Sequence, residues 1–291
     1  MRKLIIPLLM VFILAGCTAT PHEAVLPDSD LAGLEYDGSE YIKVNDNIPE
    51  FTEDELSTET HVEFSELDSL GRCGRVYAIL DKQHMPTGTR GSIGMYKPSG
   101  WPEKVGNAKY DFIDGKYLFN RSHLLGWQLW GDETNNEKNL ITGTRQMNAG
   151  HASMLNYENA VASYLENHEG NHVAYRVTPH FRGDELIARG VQLESWSVED
   201  NGKLHFNIYI FNVQDGVEFS YYDGSSHAAG DTPVEETAEE TGDTVYYLNG
   251  NTGKFHTAGC RYANSDGVET TNLTKEQLIE DGYEPCKVCN P

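Results

Sequence analysis

The sequence predicts an α+β domain built on an antiparallel sheet, with a small cysteine-bearing unit at the C-terminus. Short runs rich in β-branched and aromatic residues lie between turn signals, as at Val76–Leu80 and Leu204–Ile210. Met154, Glu158, Val161 and Leu165 follow one face of a helix, while Asn156, Asn159, Ser163, Glu166 and Asn167 take the other. Three of the five cysteines fall within residues 260–289, after an acidic stretch without any base.

Arg2 and Lys3 precede an apolar run, Leu4–Leu14, too short to span a bilayer and of the form of an export signal. It closes in Leu14-Ala15-Gly16-Cys17, which resembles a bacterial lipobox. The resemblance implies that residues 1–17 are a lipoprotein signal peptide. Cys17 would be lipidated, and its acyl chains would anchor the protein to the membrane on the extracytoplasmic side. A plain secretory signal with an incidental cysteine is the alternative. Residues 18–69 carry 15 acids against the single Lys43 and lack sustained periodicity, which reads as an acidic tether. Within it Tyr41–Val44 has the look of a short strand. Phe51, Leu56 and Phe64 are candidates to dock on the domain C-terminal to them, with a small helix after Thr52.

The net charge of −23 excludes a protein whose whole surface holds polyanions, but it is unevenly spread. Residues 18–69 contribute −14, whereas residues 72–145 hold 11 bases against 7 acids. The positive part of this acidic chain is therefore the segment where the chemistry-bearing residues begin. Residues 71–116 read as short strands and glycine turns, with Val76–Leu80 a buried strand and Cys73 a small buried thiol. Arg90 and Lys97 read as solvated surface charge rather than phosphate ligands.

Phe119-Asn120-Arg121-Ser122-His123 ends an apolar run and precedes Leu124-Leu125, a strand-to-helix junction. An imidazole titrates near neutrality and suits proton transfer from water, and the fork of Arg121 suits two-point binding of phosphate. Magnesium prefers oxygen ligands and keeps several waters, so Asn148 together with a substrate phosphate would serve it. Glu158 points inward with the apolar face of its helix. A buried carboxylate is costly unless it finds a partner or a cation. Taken singly, these residues are as well explained as caps, turns and structural histidine. His151, His168, His172, His180 and His205 show no ligand spacing and are read as structural or surface residues. The runs His172–Val177, Gly190–Glu194 and Leu204–Ile210 complete the antiparallel strands.

The ordered set resembles the DNA/RNA non-specific endonucleases of the ββα-metal, or His-Me finger, superfamily. The likeness runs from about Gly71 to Gly224 and includes Gly91-Ser92-Ile93-Gly94, Lys97-Pro98-Ser99-Gly100-Trp101, Asn139–Arg145 and Asn212-Val213-Gln214. The family signature Asp-Arg-Gly-His reads Asn120-Arg121-Ser122-His123 here, so an acid and a glycine are replaced. The resemblance implies a ββα-metal nuclease domain over residues 70–224. In it His123 is the general base, Arg121 binds phosphate and Asn139 orders the site. Asn148 ligates Mg2+, or Mn2+ in its place, and Glu158 holds metal-bound water. DNA and RNA are the implied substrates, cut to leave a 5′ phosphate. The alternatives are a surface nucleic-acid-binding lipoprotein with little turnover and a zinc-sensing or scavenging lipoprotein.

Residues 225–243 read as a second acidic linker. Residues 244–291 contain His256-x3-Cys260 and, after 25 residues, Cys286-x2-Cys289. One histidine and three cysteines suit tetrahedral Zn2+. A disulfide is the rival, though three cysteines cannot all pair within the unit. The tail also resembles the small zinc-binding module of the Ada DNA-repair protein, with histidine in place of one cysteine, and a unit of this size needs a metal to fold.

Overall fold

The computed structural model describes residues 28–231, 245–250, 252–263, 268–271, 273, 275–280, 282–289 and 291. The expected signal segment with Cys17 and residues 232–243 of the expected linker lie outside the described residues. The chain divides into two compact units, residues 1–229 and 230–291. Among the described residues no helix is long and apolar enough to cross a membrane.

The first unit is α+β, as its patterns predict. In chain order it comprises β1 (Tyr41–Lys43), β2 (His61–Phe64), β3 (Val76–Leu80), β4 (Phe119–His123), α1 (Trp127–Trp130), β5 (Leu140–Thr144), α2 (Arg145–Ala149) and α3 (Met154–Asn167). It continues with β6 (Val173–His180), β7 (Gly190–Ser197), β8 (His205–Phe211), β9 (Val217–Phe219) and β10 (Ser226–Ala228). Six strands form one antiparallel sheet in the order β1-β8-β7-β6-β3-β2. All five residues of β3 are buried, because both faces of the sheet are covered. On one face Ala78, Leu80, Tyr175, Leu193 and Ile208 pack with Leu125, Leu129, Ile141, Met147, Val161 and Leu165. This interface seats the β4–β5 hairpin and helices α2 and α3 on the sheet.

The other face corrects the tether expectation. Phe51 and Leu56 pack on Tyr77, Ile79 and Ala174, while Leu31 and Val44 pack on Tyr209 and Phe211. Between these clusters Arg176 donates to both carboxylate oxygens of Glu194, at 2.6 and 2.8 Å. It also reaches Glu55 and the carbonyl of Glu50, each at 2.9 Å. A buried charge pair is tolerable only when its remaining donors are met. Residues 50–55 meet them. Residues 28–69 thus supply both edge strands and one cover of the sheet. Their apolar residues follow no period because each meets a different strand. The helix expected after Thr52 is instead a hydrogen-bonded turn, closed by the Leu56 N–H on the Thr52 carbonyl. At the far end β10 pairs with β9, and the Tyr110 hydroxyl donates to Ser226 at 2.9 Å, so the domain runs past residue 224.

The second unit holds β11 (Tyr246–Asn249), β12 (Lys254–His256), β13 (Val268–Thr271), α4 (Lys275–Glu280) and β14 (Glu284–Pro285), with sheet order β13-β11-β12-β14. Among its described residues Phe255 and Leu278 are fully buried apolar side chains. The β12–β14 pair is parallel, with Phe255 opposite Pro285.

Candidate active site

Arg121 and His123 sit two apart on β4 and so project from the same side of the hairpin. Arg121 and His123 line a cleft of about 600 Å3 together with Asn120, Asn148, Trp101 and Arg90. A narrower cleft of about 370 Å3 continues from it, sharing Arg90, His123, Asn148 and Leu155 and adding Gly126, Trp127, Gln128 and Glu158. Four of the sequence-derived residues, Arg121, His123, Asn148 and Glu158, therefore meet in one continuous groove.

The imidazole of His123 is buried, and its Nε2 lies 3.0 Å from Asn135 Oδ1. Asn135 Nδ2 in turn donates to Asp132 Oδ1 at 3.4 Å, which fixes the amide with its oxygen toward the ring. Nε2 of the neutral ring must then carry the proton, and Nδ1 carries the lone pair. Burial pushes the His123 pKa down to about 4; the Asn135 bond opposes this and the Arg90 charge adds to it. At neutral pH the ring is unprotonated and able to accept a proton.

Arg121 is held from two sides. Its Nε–H donates to the Tyr96 carbonyl at 2.6 Å, and its guanidinium stacks 4.0 Å from the centre of the Trp101 ring. The Tyr96–Trp101 segment is thus what orients this arginine, and burial there lowers its pKa. Gly100 in that segment has φ +66°, and a Cβ would fall 2.3 Å from Ile187.

Asn148 is positioned through α2. Thr144 caps this helix by accepting the Met147 N–H, while its own N–H donates to Asn212 Oδ1 at 2.8 Å and its hydroxyl to the Val213 carbonyl at 2.6 Å. The Gln146 N–H donates to Gln214 Oε1 at 3.1 Å. Asn212-Val213-Gln214 accordingly clamps the β5–α2 junction and sets where Asn148 stands.

Glu158 occupies the inward face of α3, and among the described residues only Gln128 Nε2, 3.3 Å from Oε2, is bonded to its carboxylate. Burial pushes its pKa up to about 7, opposed by that bond and by the charge of Arg90. No basic side chain among the described residues is ion-paired with it. An inward carboxylate without a cationic partner, beside an amide oxygen in a groove, fits a divalent cation.

Asn139, which the resemblance implies orders the site, does not itself line the groove. It is fully buried, its Oδ1 accepts the Leu125 N–H at 2.8 Å, and its Nδ2 donates to the carbonyls of Leu125 and Thr134, each at 2.9 Å. It is a positioning residue that staples the loop after β4. Arg90, read as surface charge, is corrected: it lines both clefts and acts on His123 and Glu158 alike. Lys97 is paired with Glu103 on the surface. Asn135 escaped sequence reading because an asparagine between two helical turns carries no distinguishing signal.

The two departures in the signature have different consequences. Ser122 is fully buried, and its side chain occupies the space beside Gly143, where a Cβ would fall 2.3 Å from Ser122 Oγ. The β4–β5 pairing runs through it unbroken, with Arg121 opposite Thr142, Ser122 opposite Ile141 and His123 opposite Leu140. Asn120 presents a buried Nδ2 that has no protein partner.

In the second unit His256, Cys260, Cys286 and Cys289 converge, with their ligand atoms all within 4.8 Å of one another. The parallel register brings the ends of β12 and β14 out side by side, and the Cys286 N–H donates to the Phe255 carbonyl at 3.0 Å. The three cysteines are unbridged. In the first unit Cys73 is a buried thiol facing the Leu140 and Glu137 carbonyls, its pKa pushed up to about 12 by burial.

The family described as DNA/RNA non-specific endonuclease matches residues 52–199, and the chain belongs to it. A deoxyribonuclease from Streptococcus dysgalactiae subsp. equisimilis is 27% identical over 220 residues, covering 64% of this chain and 65% of that protein's length. NucA from Streptococcus agalactiae, solved with a magnesium ion bound, has the same fold at a TM-score of 0.56. It is 23% identical and the match covers 65% of this chain and 86% of that one. The Sda1 nuclease, solved with a bound zinc ion, aligns at a TM-score of 0.51 and 27% identity over 58% of this chain and 81% of its own.

Proposed function

We propose that this protein is a metal-dependent endonuclease that hydrolyses phosphodiester bonds of DNA and of RNA. The observation that carries the proposal is the convergence of His123, Arg121, Asn148 and Glu158 on one groove, with His123 neutral and hydrogen-bonded through Nε2. His123 Nδ1 takes a proton from the attacking water. Arg121 binds a phosphate oxygen through the guanidinium donors its Tyr96 bond leaves over, and Arg90, which lines the same cleft, adds positive charge. Asn148 and Glu158 would hold Mg2+ or Mn2+, which when bound neutralises charge at the scissile phosphate and leaving oxygen. Trp101 holds Arg121 in register, and Asn135 keeps the His123 tautomer. Contacts of this kind address the backbone rather than base edges, giving little sequence preference.

His256, Cys260, Cys286 and Cys289 would hold Zn2+ in a closed, structural role; three buried donors and one half-buried cysteine, with ligand atoms within 4.8 Å of one another, support it. The N-terminal segment would act as a lipoprotein leader cut before Cys17, which would be lipidated and hold the enzyme at the membrane outside the cytoplasm; the Leu14-Ala15-Gly16-Cys17 sequence supports this.

Plasmid and RNA degradation by the chain from Thr18 onward, with magnesium, manganese or chelator, beside His123→Ala, tests the reading. Metal-dependent degradation of both substrates that is lost in the variant is expected. Binding without cleavage under any divalent cation would instead make it a nucleic-acid receptor.

A further inference from the structure

Few of the side chains that line the narrower cleft can accept a hydrogen bond. Arg90 only donates, Gly126 and Leu155 bring no polar group, and the Trp127 indole donates to Asp132 Oδ1 at 2.8 Å. Beyond His123, Asn148 and Glu158, which the proposed hydrolysis already uses, one acceptor-bearing side chain of the lining is left. It is Gln128.

The amide of Gln128 is oriented by α3. Its Nε2 lies 3.3 Å from Glu158 Oε2 and 3.1 Å from Asn159 Oδ1, so one amide spans two consecutive residues of that helix. A carboxylate that holds a cation is ionised and only accepts, and a flipped amide would set oxygen against two acceptors. Both hydrogens of Nε2 are therefore committed. The planar amide turns Oε1 away from this pair, and among the described residues nothing donates to it. Gln128 thus keeps an unused acceptor in the cleft that holds Asn148 and Glu158.

Magnesium demands a nearly ideal octahedral shell and gives up its waters reluctantly. With Asn148 and Glu158 as the protein oxygens, much of that shell is water, and its hydrogens need acceptors. Such outer partners orient the inner ligands and are worth about 10- to 100-fold in metal affinity. We infer that Gln128 is a positioning residue for the cation: its Oε1 accepts a hydrogen bond from a water of the hydration shell, while its Nε2 steadies Glu158. The inference rests on the metal-dependent reading and extends it to a side chain outside the family signature. Removing Oε1 should act on the affinity for the ion, before any substrate is bound.

The test is titration of the desalted full chain with Mn2+, the free ion being followed by electron paramagnetic resonance, for the parent, Gln128→Met, Gln128→Glu and Glu158→Gln. Glu158→Gln sets the background from the rest of this acidic chain. Gln128→Met, which fills the same space without donor or acceptor, is expected to weaken binding about 10-fold. Gln128→Glu keeps an acceptor and loses the donor, and is expected to bind at least as tightly as the parent. Melting temperatures in chelator check that each variant folds, and Gln128→Glu alone decides the matter if Gln128→Met does not. Parent-like binding by Gln128→Met, or weakened binding by Gln128→Glu, overturns the inference: in the second case Gln128 serves only as the donor that holds Glu158. A parent that binds Mn2+ no better than Glu158→Gln would overturn the metal reading itself, a result distinct from either.

Discussion

The Cα of Gly126 stands against the carboxylate of Glu158, so that a Cβ built there would lie 2.2 Å from Oε2 and 2.8 Å from Oε1. Gly126 has φ −63° and ψ 141°, a conformation open to any residue. It is glycine for space and not for backbone freedom. The loop after β4, stapled by Asn139, therefore presses a bare backbone onto the one buried carboxylate of the groove.

Gly126→Ala should displace Glu158 while leaving the backbone unstrained. Misplacing a metal-holding group by about 1 Å costs on the order of 100-fold in rate. Oligonucleotide cleavage under saturating magnesium, beside circular dichroism of the variant, checks this; unchanged cleavage would show that Glu158 is not needed where it sits.

Asn135 should govern the pH dependence of the reaction. In Asn135→Asp a carboxylate replaces the neutral acceptor on Nε2 and favours the imidazolium, so the His123 pKa rises from about 4. Base-competent imidazole is then lost at higher pH. The acid limb of the pH–rate profile is expected to move up by at least one unit, whereas a merely structural Asn135 would lower the rate at every pH alike.

Glu158 and the ion it is proposed to hold should be visible in stability without any assay of activity. Its folded pKa of about 7 lies above the usual value of 4.5, so its contribution is fully present below about 4.5 and lost as pH rises through 7. With chelator, Glu158→Gln should exceed the parent in melting temperature at pH 8, by several degrees for an effect on the order of 3 kcal/mol. At pH 4 the two should melt together. His123 has the opposite sign, its folded pKa being depressed: its contribution is complete above about 6.5 and lost as pH falls toward 4. That loss is common to both proteins and cancels in the comparison. Added magnesium should raise the melting temperature of the parent at pH 8 and not that of the variant.

A chain beginning at Leu70 should fail to fold cooperatively. It lacks β1 and β2, uncovers Tyr77 and Ile79, and leaves the Arg176–Glu194 pair without the Glu55 and Glu50 contacts. Removing a partner from a buried charge network typically costs about 3–5 kcal/mol, a large part of a domain's stability. Denaturant unfolding of chains starting at Asp28 and at Leu70 decides it.

Mass spectrometry of the intact chain should find zinc that Cys286→Ser or Cys260→Ser releases, with residues 245–291 becoming protease-sensitive. Full resistance to protease after zinc removal would separate that unit's fold from the metal.

Local patterns were legible wherever a residue's partners are its chain neighbours. The inward face of α3, the buried strand Val76–Leu80 and the antiparallel β6, β7 and β8 all follow from periodicity, and the structure places them as expected. Residues 28–69 were not legible. Leu31, Val44, Phe51 and Leu56 are isolated apolar residues among acids, and their burial depends on strands distant in the chain, such as those carrying Ala174 and Tyr209. Arg90 was misread for the same reason, since nothing near it in sequence marks the groove.

The sequence by itself determined which chemistry-bearing side chains this protein carries and in what order: Arg121, His123, Asn148 and Glu158, and one histidine with three cysteines in the tail. Residue type and spacing encode that directly, because strand and helix periods are local. Tertiary structure alone decided what those groups can do. Burial made His123 a neutral ring and Glu158 a reluctant acid, Asn135 chose which nitrogen holds the proton, and Gly126 and Gly143 made room. Those are effects of desolvation and close contact between distant segments, and they exist only once the chain has closed on itself.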